Sequence, residues 1–352
     1  TLKSGNGFNR CVESIVKGLH HITLVTGNYV VNNRFYTEVL GLRRVKLSVN
    51  QDDIYHRHLF YANFDKPTGS AITFFEWPEL PRGYPGYGSP HHLAYRVGSP
   101  EALAKWFHFL REGNIAARGP YVYGGLASIY LRDPDGVLLE LTTPYPDADI
   151  GYLKELFTQT STPTAISQDM RLTAFDHASP IISDPKLTSR FLEKFLDIVK
   201  VDDAGGVLRV LNMDGDVYLR CIVDPVNVDG YVARGSVHHI ALCVESEEMQ
   251  RLVMRRLNSV GWRNSGIVDR FWFKSLYFRD PDGNLFELAT EGPGYDVDEP
   301  RETLGSRLVL PPWLEPLRQQ IEKKLAERDA GNAAEWPTVF EEPPEPPEPL
   351  AQ

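Results

Sequence analysis

Two pairs of adjacent histidines head apolar, strand-like runs in this sequence, "PHHLAYRV" at 90–97 and "VHHIALCV" at 237–244. Each pair is followed, 48 residues after its second histidine, by a glutamate: Glu140 after His92 and Glu287 after His239. Two imidazoles and one carboxylate, with open positions on one face, suit a non-haem Fe(II) that must take substrate and dioxygen together. In a small curved sheet His239 and Glu287 can lie on neighbouring strands and face the concave side, where a second histidine from elsewhere would complete the set. His92 and Glu140 repeat the first two members. A lone histidine on an apolar strand is ordinarily a satisfied core residue. The same His–Glu spacing held twice, with each carboxylate set among Leu or Phe where an unpaired charge is costly to bury, points instead to a metal or an arginine partner.

The spacing belongs to a longer internal repeat. Displaced by 147 residues, His91-His92 falls on His238-His239, Tyr130 on Tyr277, "RDPDG" 132–136 on "RDPDG" 279–283, and Glu140 on Glu287. Displaced by 156, "GLHHITLVTGNYVVNNRFYTEVLGL" (18–42) falls on "AFDHASPIISDPKLTSRFLEKFLDI" (174–198), matching His21 with His177. Both of these segments open as a short strand, turn, and continue as an amphipathic helix. The helix faces are Val31, Phe35 and Val39 with Leu40 beside them in the first, and Phe191, Phe195 and Leu196 in the third. Short strands follow, and "DPDG" reads as a tight hairpin turn in which Asp supplies a local hydrogen bond and Gly the positive φ.

The pattern predicts an α+β protein: four βαβββ modules, beginning near residues 18, 89, 174 and 236, that form two curved mixed-sheet domains. Along the chain this gives an N-terminal extension (1–17), modules 1 and 2 (18–145), a linker rich in Pro, Thr, Ser and Asp (146–173), modules 3 and 4 (174–292) and a C-terminal extension (293–352). The last contains a helix introduced by prolines in "LPPWLEPLRQQIEKKLAERD" and an acidic, proline-rich tail, "EEPPEPPEPLAQ", expected to be extended or disordered.

Composition narrows the function. A chain of 352 residues is long enough for two domains with real cores. A formal charge of −10 argues against nucleic acid as the main partner. No apolar run reaches membrane-spanning length, and the first residues lack the apolar core of a signal peptide. Cys11, Cys221 and Cys243 are few, odd in number and unclustered, which argues against a disulfide framework or a zinc knuckle and for a reducing compartment. The expectation is a cytoplasmic protein with no nucleic-acid or membrane partner.

The four-module layout, with "HHITLVTGN", "FYTEVLGLRRVK" and "LYFRDPDGNLFELAT", resembles the vicinal-oxygen-chelate superfamily of glyoxalases, fosfomycin- and bleomycin-resistance proteins and type I extradiol dioxygenases. The first module, "TFFEWPELPRG" and "LPPWLEP" resemble more narrowly the para-hydroquinone ring-cleaving dioxygenases. That resemblance implies an Fe(II) enzyme, with Mn(II) as the alternative metal, that inserts both atoms of O2 into a small hydroquinone-type aromatic, and a homo-oligomer. It implies His21, His239 and Glu287 as metal ligands, with His20, Thr23, His238, Arg270 and Tyr277 around them as outer-shell and catalytic groups. Within that reading His238 is a candidate acid–base group, Arg270 a holder of substrate oxygen or a developing anion, and Phe271, Trp272 and Phe273 candidate walls of the ring pocket.

Two other functions share the scaffold. In catechol-cleaving relatives the first histidine comes from the third module, which is His177 here. Pairing modules 1 with 4 and 2 with 3 gives the triads His21/His239/Glu287 and His177/His92/Glu140. Pairing in chain order gives His21/His92/Glu140 and His177/His239/Glu287, and a catechol dioxygenase. The first is favoured because His20 and Thr23 accompany His21, whereas Asp176 and Ser179 flank His177. His92, Glu140 and His177 then form a relic or structural second metal site, with Tyr123 where Arg270 would stand. A non-catalytic protein that binds an aromatic ligand is the other alternative. Glyoxalase-type sites add a fourth protein ligand, but four residues past the turn glycines Gly69 and Gly215 stand Thr73 and Leu219, neither a carboxylate.

Overall fold

The computed structural model describes residues 15–63, 65–146, 149–203, 206–331 and 335–346; Cys11 and most of the N-terminal extension lie outside them. The strands form two curved sheets. The first runs, in spatial order, through Asn264–Asp269, Phe273–Arg279, Leu285–Pro293, Val237–Val244, Val16–Thr26, Ala71–Glu76, Asp53–Ala62 and Arg43–Asn50. The second runs through Val201–Asp203, Val207–Leu211, Val217–Val223, Phe175–Ser179, His92–Arg96, Leu138–Pro144, Leu126–Arg132 and Ala117–Tyr123. Modules 1 and 4 therefore share one sheet and modules 2 and 3 the other, so each sheet draws on both sequence halves, 18–145 and 174–292.

Within a module the opening strand pairs in parallel with the closing one, as Val237–Val244 does with Leu285–Pro293. Parallel neighbours need a crossover, which the helix supplies. Helix Pro100–Glu112 starts where the Ser99 side chain accepts from Ala102 N, has Pro at its first turn, and buries Ala102, Leu103, Trp106 and Leu110. Helix Pro185–Leu196 is capped by Asp184 and buries Phe191, Phe195 and Leu196, as the spacing predicts. The first helix departs from its expected face. It is α-helical only over Tyr29–Arg34 and widens into a π turn at Phe35–Val39, where Leu40 N donates to Phe35 O. The extra residue shifts the buried set to Asn32, Phe35, Tyr36 and Leu40 and leaves Val31 and Val39 half-buried.

Both "DPDG" segments are turns of the expected chemistry. Asp133 Oδ1 accepts from the backbone of Asp135 and Val137, and Asp280 Oδ1 from Asp282 and Asn284. Gly136 and Gly283 take φ of +95° and +85°. The turns also join the two sheets: Asp135 accepts from Thr26 Oγ1 and Gly27 N, and Asn284 Nδ2 donates to Ile181 O. The predicted linker contains a helix, Ile150–Gln159, whose Leu153 and Phe157 are buried and whose ring at Phe157 packs on Phe107. The C-terminal helix spans Arg318–Gly331. The acidic tail, described to residue 346, follows an irregular course fixed at several points: Phe340 is buried beside Phe35, while Glu341 pairs with Arg82 and Glu342 and Glu345 with Arg118. No described helix is long and apolar enough to cross a membrane.

Candidate metal centre and its pocket

Three adjacent central strands of the first sheet place His21, His239 and Glu287 on its concave face. Glu287 Oε2 lies 2.9 Å from His239 Nε2 and 3.3 Å from His21 Nε2. All three side chains are buried, and their donor atoms lie within 4.8 Å of one another. Burial pushes the Glu287 carboxyl pKa up, but His21 and His239 outweigh it and hold the group ionised, well below the usual carboxylate range. Ser275 Oγ donates to the other oxygen, Oε1.

A divalent ion fits this set. His239 Nε2 and Glu287 Oε2 are buried and, close as they are, form no hydrogen bond. Such orphaned buried atoms are expensive unless a third group satisfies both, which a cation placed among the three donors does. The histidine pairs are compatible with the tautomers that ligation needs. His20 Nδ1 lies 2.9 Å from His21 Nδ1, and His238 Nδ1 lies 2.8 Å from His239 Nδ1. A proton on Nδ1 of His21 and of His239, donated to the neighbouring ring, leaves each Nε2 with its lone pair free.

The remaining predicted residues surround this centre unevenly. Thr23 Oγ1 is 2.8 Å from Thr73 Oγ1. Arg270 Nε donates to the Tyr277 hydroxyl at 3.3 Å, and its Nη2 to Asp52 at 2.8 Å. Burial and Glu287 raise the Tyr277 pKa, so its hydroxyl stays protonated. His238 packs under Phe75 and Trp77, not on the cavity, and burial with His239 pulls its pKa down to about 3. It stands there as a hydrogen-bonding neighbour of His239. His20, likewise lowered to about 3 by burial and His21, borders a separate cleft behind Phe273.

A cavity of about 30 Å³ opens beside the triad, lined by Phe60, Phe75, Trp272 and Phe273 and by the polar groups of Asn50, Gln51, Asp52, His58, Arg270 and Tyr277. Trp272 and Phe273 are walls as expected. Phe271, at φ +73°, instead packs against Trp313. Trp272 is held by Asp298, which accepts from its Nε1 at 3.2 Å, and Asp298 and Glu299 are both bound by the fully buried Lys46.

His58 was not anticipated from the sequence, whereas Thr73 stands where the count from Gly69 places it. The signal available was "HRH" at 56–58, which on a strand puts His56 and His58 on one face. Thr73 is the structural counterpart of Glu287. It pairs with Thr23, two residues past His21, as Glu287 pairs with Ala241, two residues past His239. A hydroxyl thus stands where a fourth ligand would, and among the described residues no carboxylate joins the triad from that side. Glu76, three residues on, is bound by Arg57 at 2.9 Å.

The second sheet assembles His92, Glu140 and His177 in the same way, with Glu140 Oε2 2.9 Å from His92 Nε2 and 3.3 Å from His177 Nε2. His177 is thereby separated from His239 and Glu287, so the chain-order triads do not form. His91 Nδ1 lies 2.8 Å from His92 Nδ1, as in the histidine pairs of the first sheet, but the polar groups around the triad differ. His92 Nε2 is hydrogen-bonded to Glu140 and lies 3.2 Å from Ser179 Oγ, Ser128 donates to Glu140 Oε1, and Asp176 meets His177 Nδ1 at 2.9 Å. The adjoining cavity is about 10 Å³, smaller than the one beside the first triad. Arg220 also lines it, from the strand that carries the Leu219–Ala178 pair. One residue past that pair, it stands level with Ser179 as Thr73 stands level with Thr23. The arginine missing at Tyr123 is therefore supplied from another strand.

The Glyoxalase/Bleomycin resistance protein/Dioxygenase superfamily model matches residues 18–141 and 174–288. The chain is 34% identical over 314 residues to the Bacillus subtilis protein named "Putative ring-cleaving dioxygenase MhqA", covering 88% of this chain and 98% of that one. It is 25% identical over 321 residues to "Chlorohydroquinone/hydroquinone 1,2-dioxygenase" of Sphingobium indicum, covering 87% and 95%. The solved structure of a "putative dioxygenase" from Bacillus subtilis superposes with a TM-score of 0.77 at 32% identity, covering 89% of this chain and 97% of its own.

Proposed function

This chain belongs to the Glyoxalase/Bleomycin resistance protein/Dioxygenase superfamily, and from that premise we propose that it is a ring-cleaving dioxygenase for hydroquinone-type aromatics, using a non-haem divalent iron. His21, His239 and Glu287 would hold the metal, Fe(II) or alternatively Mn(II). The observation that carries the reading is the pair of orphaned donors, His239 Nε2 and Glu287 Oε2, beside a side of the triad that offers Thr73 in place of a fourth carboxylate. Three ligands with open positions suit oxygen activation, and isomerase chemistry on this scaffold uses four. The triad also disfavours a purely sequestering protein, which needs no buried carboxylate there.

The chemistry such a metal supplies when bound is electron transfer between an electron-rich ring and dioxygen, which side chains alone do not provide. The chain's own residues do the rest. Phe60, Phe75, Trp272 and Phe273 give the ring an apolar slot that excludes water. Tyr277, protonated and beside Arg270, can donate a hydrogen bond to a developing oxyanion, and the Arg270 guanidinium adds fixed positive charge at the same wall. His20 and His238 orient the ligand rings. A reducing, cytoplasmic setting accords with Cys221 and Cys243, both free and buried.

The test is anaerobic reconstitution with Fe(II) followed by oxygen uptake with substituted hydroquinones and with catechols. Uptake with hydroquinones and formation of a ring-opened acid is expected. Preference for catechols would move the assignment to the extradiol class, and no uptake with either in iron-loaded protein would overturn the dioxygenase reading.

A further inference from the structure

His58 lies on strand Asp53–Ala62, on the flank of the first sheet opposite the strand that carries Tyr277. The two halves of the sheet are related by the repeat, which shows what His58 is placed to do. Tyr277 pairs with Glu287, and Ser275 pairs two residues further along, with Ala289. On the other flank Phe60 pairs with Thr73, and His58 pairs two residues further along, with Phe75. His58 is thus the counterpart of Ser275. Ser275 donates to Glu287, while His58 Nε2 lies 2.9 Å from Thr73 Oγ1. The side of the triad that lacks a fourth ligand is therefore bordered by Thr73 and, behind it, by an imidazole.

The ring is clamped between Phe60 and Phe75, with centroids 4.0 and 4.5 Å away. The hydroxyl of Thr73 continues to Thr23 at 2.8 Å. Read in one direction, Nε2–H donates to Thr73 and Thr73 donates to Thr23, which leaves Nδ1 as an acceptor. His58 lines the cavity, and Nδ1 has no hydrogen-bond partner among the described residues. The other polar side chains of the cavity wall differ. Arg270 and Tyr277 bond each other, Asn50 accepts from Asp52 N, and Gln51 donates to Arg270 O. An aromatic ring with two hydroxyls can place only one at the triad. The second, desolvated in an apolar slot, needs a partner.

We propose that His58 is a substrate-binding and specificity residue whose Nδ1 accepts a hydrogen bond from the ring hydroxyl not held at the triad. This rests on the hydroquinone reading of the site and adds to it a reason for preferring a free second hydroxyl over an ether. A site that presents an unpartnered acceptor on the cavity wall disfavours the analogue that cannot donate to it.

The experiment is calorimetric titration of the metal-loaded protein under argon with hydroquinone and with 4-methoxyphenol, in wild type, His58→Phe and His58→Gln, with metal content measured in each. Wild type is expected to prefer hydroquinone by about tenfold, the size of one hydrogen bond to a buried group. His58→Phe should bring the two affinities together at unchanged metal content, and His58→Gln should restore part of the preference. Full preference retained in His58→Phe, or none in wild type, overturns the assignment while leaving the ring-cleaving reading standing. Binding of neither phenol by wild type overturns both. Should His58→Phe fail to fold, an undiminished preference in His58→Gln overturns the assignment.

Discussion

Arg220 occupies in the second sheet the place that Thr73 occupies in the first. At Thr73 the triad is bordered by a neutral hydroxyl. At Arg220 a buried guanidinium, bonded to Gly124 O at 3.1 Å, fills that side and adds positive charge beside Glu140. Two triads of common origin have therefore diverged in their surroundings more than in their ligands.

Metal content should follow that difference. The native protein is expected to hold one divalent ion per chain. Glu287→Gln should remove it, because an amide leaves two imidazoles and no anionic donor. Glu140→Gln and His92→Ala should leave metal content unchanged and instead lower stability, Glu140→Gln by about 3–5 kcal/mol, since His177 and Arg220 lose their buried counter-charge. Elemental analysis together with thermal melts separates the effects. Two ions per native chain, one of them lost in His92→Ala, would show that the second triad binds metal after all.

Thr73→Glu should close the first site. The new carboxylate would stand across the triad from Glu287 and fill the position that open three-ligand chemistry needs. Metal affinity is expected to stay the same or rise while oxygen uptake falls at least about a hundredfold, the scale on which placement of a single reacting group acts. Thr73→Val, which keeps the shape and drops the hydroxyl, should retain the metal and most of the turnover. Wild-type uptake in Thr73→Glu would mean that Thr73 does not border the open face.

Much of this arrangement was legible in the sequence because repetition amplifies weak signals. One His–Glu spacing is uninformative, but the same spacing twice, with "DPDG" in register, located both triads and the strands that carry them. The pairing of modules needed more than spacing. By type His21 and His177 are equally good first histidines; the neighbours His20 and Thr23 favour His21, and the antiparallel register of Val16–Thr26 with Val237–Val244 brings it to Glu287. His58 and Arg220 were out of reach for another reason. Their roles come from strands far apart in sequence, and each is an ordinary strand residue until its neighbour across the sheet is known. The π turn at Phe35 was hidden because one extra residue in a helical turn leaves no mark in the composition.

Lys46 offers a test of how the C-terminal segment supports the pocket. The side chain is fully buried and bonds Asp298 Oδ1 at 2.8 Å and Glu299 Oε2 at 2.6 Å, while Asp298 also holds Trp272. Lys46→Met keeps the stem but strands two acidic groups, and breaking a buried pair in this way costs about 3–5 kcal/mol. The expected result is a lower melting temperature with KM for the aromatic raised more than kcat is reduced, because the Trp272 wall is loosened while the triad is untouched. An unchanged KM would place the support of Trp272 elsewhere.

The turn carboxylate Asp133 makes a prediction about pH. Burial, reinforced by Asp135, pushes its pKa up to about 7, even though backbone amides and the Tyr36 hydroxyl donate to it. A carboxyl whose folded pKa lies above its unfolded value of about 4 favours folding fully below the unfolded value. That contribution is lost as pH rises from about 4 to 7, with a slope of at most about 1.4 kcal/mol per pH unit. Asp133→Asn removes the titration while retaining an oxygen for the Asp135 and Val137 amides and an N–H for the Tyr36 oxygen. Relative to wild type it should therefore become progressively more stable as pH rises from 4 to 7, with the difference constant above that. Chemical denaturation at a series of pH values measures it directly. A wild-type–variant difference that does not change with pH would mean that Asp133 is ionised throughout and that the amides of its turn outweigh its burial.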